Sequence, residues 1–93
     1  MNTLRLDDRT VKALEESNDI ARKIGMHVAV IIMIDSFGIY TVRRGFFDEY
    51  GEADSYIYSM AKTCLEYGQP HLCFINGYMK RGGNIEKMQL EAK

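Results

Sequence analysis

His27-Val28-Ala29-Val30-Ile31-Ile32-Met33-Ile34 holds seven consecutive apolar residues after its histidine, five of them β-branched. A strand with one face in water alternates apolar and polar side chains, and this run does not, so it reads as a strand buried on both faces and central in a sheet. It is far too short to span a bilayer. On its C-terminal side, Asp35-Ser36-Phe37-Gly38 forms a turn and the chain returns as a strand from Ile39 to Arg44, with Tyr40 and Val42 on the face of Arg44. That closes a first hairpin.

Phe46 to Glu52 reads as a loop, after which Ile57, Met60, Ala61, Cys64 and Leu65 follow the spacing of an amphipathic helix ended by Gly68 and Pro70. His71-Leu72-Cys73-Phe74-Ile75, Asn76-Gly77 and Tyr78-Met79-Lys80 form a second hairpin, because Asn-Gly accommodates the positive φ angles of a type I′ turn. Gly82-Gly83 interrupts the pattern, and Asn84 is placed to cap a short third helix with Ile85, Met88 and Ala92 inward. On the N-terminal side, Asp7 caps a first helix, Leu6 and Val11 form its staple, and Val11, Leu14, Ala21 and Ile24 make its apolar stripe. Arg22 and Lys23 suit its last turn and Gly25 its C′ position. The order α-β-β-α-β-β-α predicts an α+β fold, a small two-layer sandwich whose antiparallel sheet is built from two hairpins.

Ninety-three residues make one domain, residues 1–93, and 46% hydrophobic with 27% charged residues is a globular composition. Twelve basic against thirteen acidic residues give a net charge of -1, so no overall pull toward nucleic acid or membrane is expected. The N-terminus lacks the apolar core of a secretory signal, and two cysteines do not make a secreted disulfide framework; the expectation is a cytoplasmic protein.

His27, Cys64, His71 and Cys73 are the borderline metal ligands of the chain. No Cys-x-x-Cys or His-x-x-x-His pair occurs, and both thiols sit on apolar faces, so buried structural cysteines and no metal are expected. His71 and Cys73 share a strand face, which keeps a site with Cys64 geometrically open. No nucleophile elbow is present, Ser36 reads as a turn residue, and the acids cluster at solvated positions; no enzyme and no cofactor are expected. Arg43 and Arg44 end one strand as Lys80 and Arg81 end another, and the two pairs would form one phosphate- or nucleic-acid-contacting stripe if those strands were neighbours.

The most unusual stretch runs from Phe46 to Tyr58, where five aromatics interleave with four acids. Not all of Phe47, Tyr50, Tyr56 and Tyr58 face inward if Ile57, Met60 and Ala61 do. Phe46, Phe47, Asp48, Glu49, Tyr50, Glu52, Asp54 and Tyr58 are therefore the candidate partner-binding residues, and their charge predicts a partner with a basic surface.

The hairpin closing at Gly38, the alanine- and methionine-bearing helix, the junction Leu65-Glu66-Tyr67-Gly68-Gln69-Pro70 and the strand and turn after it resemble small phage-encoded anti-CRISPR proteins acting on type I complexes. That resemblance covers residues 35–80 and implies a non-enzymatic inhibitor that occupies a surface of a CRISPR-associated subunit. Leu4-Arg5-Leu6-Asp7-Asp8, Ala21-Arg22-Lys23-Ile24-Gly25, Val28-Ala29-Val30, Asp35 with Gly38, and Ala61-Lys62-Thr63 are similar to the N-terminal half of the GlcG/heme-binding family. This second resemblance implies a profilin-like fold and a pocket for a small ligand, such as the tetrapyrrole heme, between the sheet and the second helix. The leading expectation is an inhibitor or adaptor acting by protein contact, with a homodimer open because an open sheet leaves two edges.

Overall fold

The computed structural model describes residues 8–85. Helix α1 (Asp8–Ile24) leads into β1 (His27–Ile34) and β2 (Tyr40–Phe47), and α2 (Tyr50–Glu66) leads into β3 (His71–Ile75) and β4 (Tyr78–Gly83). The strands form one antiparallel sheet in the order β2-β1-β3-β4, so both hairpins are present and β1 is interior. Every residue from Val28 to Ile34 is buried.

That burial corrects the expected number of layers. Val28, Val30, Ile32 and Ile34 pack with Leu72 and Phe74 on the face covered by Ala21 of α1. Ala29, Ile31 and Met33 pack with Cys73 and Ile75 on the other face, against Ala53, Ile57, Ala61 and Cys64 of α2. The domain is α+β with three layers, helix on sheet on helix, rather than two. An uninterrupted apolar strand needs cover on both faces, and one layer of helices supplies only one.

The buried face of α1 also departs from the apolar stripe. Thr10, Ser17 and Ala21 are buried with Leu14 half-buried, while Val11 and Ile24 are exposed. Small residues let the helix approach the sheet closely, and the Ser17 hydroxyl is fully used: it donates to the Ala13 carbonyl at 2.7 Å and accepts from Arg44 Nη1 at 3.1 Å. In α2 the expected Ile57, Ala61 and Cys64 are buried and Met60 packs at the margin, but Leu65 is 59% exposed.

The expected loop from Phe46 to Glu52 shrinks to Asp48 and Glu49, because β2 continues to Phe47 and α2 begins at Tyr50. Phe46 and Phe47 extend the pairing with Val28 and His27, where each ring gains a core to enter. The second hairpin turns as its sequence requires, with φ of 53° at Asn76 and 88° at Gly77. Asn76 also anchors β1, accepting from Val28 N–H at 3.0 Å. Asn84 turns with a φ of 55° and Ile85 after it is helical, while the rest of the expected third helix, and the Asp7 cap with its Leu6 staple, fall on residues 86–93 and 1–7 and so lie outside the described residues. No described helix is long and apolar enough to cross a membrane.

Candidate functional site

Asp48 and Glu49 deliver the chain from β2 to α2. Glu49 is the N-cap, and a capping box joins it to Glu52: each carboxylate accepts the other residue's backbone N–H, the Glu49 N–H to Glu52 contact being 3.2 Å. Both carboxylates therefore hold the helix start while remaining exposed. Tyr50, Asp54 and Tyr58 follow at four-residue intervals and share the face of α2 that looks toward β4. Tyr50 meets the His27 ring edge-on at 5.7 Å.

Phe46 and Phe47 do not join this surface. Phe46 packs on the α1 side, with the Arg44 guanidinium 5.8 Å from its ring. Phe47 packs on the α2 side, 5.3 Å from Tyr56. Both are half-buried, so the exposed candidates reduce to Asp48, Glu49, Tyr50, Glu52, Asp54 and Tyr58, with Asp54 partly covered.

The basic stripe is also corrected. β2 and β4 are opposite edges of the sheet, so two strands, β1 and β3, separate Arg43 and Arg44 from Lys80 and Arg81. Arg43 lies opposite Ile31 on the α2 side and Arg44 opposite Val30 on the α1 side, so the pair is itself divided between two faces. Lys80 and Arg81 instead meet the tyrosines of α2. The Lys80 ammonium lies 5.5 Å from the Tyr50 ring centroid and the Arg81 guanidinium 4.9 Å from that of Tyr58. A hydrogen bond from Lys80 to the Tyr50 side chain, with the charges of Tyr50 and Asp54 nearby, raises the pKa of this ammonium.

An open cleft of about 510 Å³ lies between α2 and β4, lined by Tyr58, Ala61, Lys62, Leu65, His71, Lys80, Arg81 and Gly82. Two groups that the sequence presents separately, the tyrosines and the second basic pair, are thus brought together. The four-residue spacing of Tyr50, Asp54 and Tyr58 is the signal for one helix face that reading Phe46 to Glu52 as a loop passes over, and only the strand order places β4 beside that face.

The soft ligands do not converge. Cys64 and Cys73 are free and buried in the α2-side core, where burial raises both thiol pKa values, that of Cys73 to about 11. His71 is 1% exposed and its Nδ1 donates to the Gln69 carbonyl at 2.9 Å. His27 Nδ1 accepts from Asn76 Nδ2 at 3.0 Å, an assignment that follows from Asn76 Oδ1 taking the Val28 N–H. Among the described residues no group of three or more His, Cys, Asp or Glu is placed to hold a metal. The middle of the space between the sheet and α2, where a heme-type pocket is expected, is filled by Ala29, Ile31, Ala53, Ile57 and Ala61, with open clefts at its β4 and β2 edges. Comparison with known proteins returns no family model, no curated protein and no solved structure that matches the chain.

Proposed function

We propose that the protein is a non-enzymatic inhibitor or adaptor acting by protein–protein contact, with the start of α2 as its docking surface and a basic surface as its target. One observation supports this most: Asp48, Glu49 and Glu52 are exposed at the start of α2 beside the partly exposed Tyr50, and Tyr58 about two turns on is 55% exposed, with Lys80 and Arg81 against the two rings on their β4 side. Aromatic side chains contribute much contact area at little entropic cost, and a rim of one sign selects and steers an oppositely charged partner. The resemblance of residues 35–80 to anti-CRISPR proteins makes a CRISPR-associated subunit of a type I complex the partner to test.

The test is affinity capture of purified type I complexes by the full chain. Charge reversal at Glu49 and Glu52 would remove the capping box and confuse folding with docking. The informative variant is Asp48→Lys with Tyr58→Ala, and a loss of capture of about tenfold or more is expected. Capture that survives this variant removes the surface assignment. Failure of the intact protein to bind any such complex removes the partner assignment.

A further inference from the structure

We infer that the cleft between α2 and β4 is a binding site for the phosphoryl group of a small phosphorylated ligand. The first observation is a β-bulge. Consecutive residues of a regular strand point to opposite faces, so Lys80 and Arg81 should diverge. The register instead steps from Phe74 opposite Met79 to Cys73 opposite Arg81, leaving Lys80 as the extra residue. Both side chains then reach α2, Lys80 at Tyr50 and Arg81 at Tyr58. Bulges are a means of re-aiming a side chain at a strand edge, and this one directs two cations to one side.

The second observation is the charge of the lining. Lys62 of α2 joins Lys80 and Arg81, and none of the described lining residues is acidic. Among the described residues no carboxylate lies within ion-pair distance of these three cations. Three like charges thus line one cleft in a chain of net charge -1, with Asp54 near Lys80 offsetting them in part, and a phosphate monoester, close to a dianion at neutral pH, is a counterion of matching charge. Arg81, whose guanidinium carbon lies 4.9 Å from the Tyr58 ring centroid, suits such a ligand, because its planar fork of N–H donors matches a phosphate edge.

The third observation concerns the floor. His71 is 1% exposed with its Nδ1–H held by the Gln69 carbonyl, so the imidazole forms the back of the cleft and the donors to a phosphoryl group are the three cations. Gly83 stands opposite His71, where a Cβ would come within 2.7 Å of His71 Cε1 and 2.8 Å of Leu65 Cδ2. The wall is thus bare backbone beside a buried imidazole.

This site goes beyond the docking reading, shares Tyr58 with it and touches Tyr50 through Lys80. The experiment is an amide NMR titration of the full chain with inorganic phosphate and with phenyl phosphate, against sodium chloride at matched ionic strength. The expected result is saturable shifts at Ala61, Leu65, Gly82 and Gly83, and phosphate affinity at least about tenfold above that of chloride. Lys80→Ala with Arg81→Ala, and separately Lys62→Ala on the exposed face of α2, should each weaken it, whereas Arg43→Ala on the opposite edge should not. Equal shifts with chloride, or affinity unchanged in both variants, overturn the proposal. A single-stranded oligonucleotide that binds more tightly with each added nucleotide overturns it too, by making the ligand a polymer backbone. No partner protein is present in the titration, so its failure leaves the docking reading where it stands.

Discussion

Cys73 sits at zero exposure beneath α2, and burial, reinforced by Cys64, pushes its thiol up to about 11 against a small opposing pull from Arg81. Its ordinary value is 9.0, so as pH rises past that point the unfolded chain releases this proton while the folded chain keeps it. The unfolded state then binds fewer protons, and stability falls with pH. The contribution is whole below pH 9 and is lost as pH rises through about 11, an effect on the order of 1–2 kcal/mol. Urea unfolding from pH 7.5 to about 10.5 should therefore show a steeper decline for the natural chain than for Cys73→Ala, and identical slopes would remove the argument. At this scale the sequence indicated that both cysteines are core residues. It did not reveal that His71 is fastened by Gln69, because a side chain bound to a backbone carbonyl leaves no mark in ligand spacing.

β1 is the element that the sequence describes best, and its two faces supply a direct test of the three-layer arrangement. Ile31 belongs to the α2-side core and Ile32 to the α1-side core, both at zero exposure. Truncating either to alanine should cost about 2–5 kcal/mol in urea unfolding, since each leaves a cavity that neighbours only partly fill. In a two-layer sandwich one of the two would cost far less, so a cost below about 1 kcal/mol at Ile32 would argue that α1 does not cover its face. The Asn76-Gly77 hairpin and the buried face of α2 were legible for the same reason as β1, a local pattern with a local cause. The end of β2 was not. Gly45 lies within the strand, at a position where a Cβ would come within 2.9 Å of the Phe47 ring. Nor was the face of α1, since Thr10 and Ser17 look solvent-facing until Arg44 and the Ala13 carbonyl satisfy the buried hydroxyl of Ser17.

Strand order belongs to the whole molecule, and no local pattern carries it. Two hairpins of this chain could be joined through either outer strand, and β2 and β4 would then be neighbours or strangers with the same residues in each. The order β2-β1-β3-β4 makes them opposite edges, which separates Arg43 and Arg44 from Lys80 and Arg81 and creates the cleft beside α2. The same order decides what happens at the exposed edges. An open edge invites pairing with a second copy unless charge or a bulge discourages it. β2 carries Arg43 and Arg44 at its middle, and β4 carries Lys80 and Arg81 at its bulge. An antiparallel pairing of two β2 edges, or of β2 with β4, sets these cations against one another, and like charges directly opposite are destabilising. At an ionic strength of about 0.01 M, where the Debye length is about 30 Å, sedimentation equilibrium should therefore give the mass of one chain. Arg43→Thr, which removes a charge and adds a β-favouring side chain, should move the equilibrium toward dimer, and raising the salt should do the same to the natural chain. A dimer of the natural chain at low salt would mean that an edge is already paired, and the repulsion argument would fail for that edge.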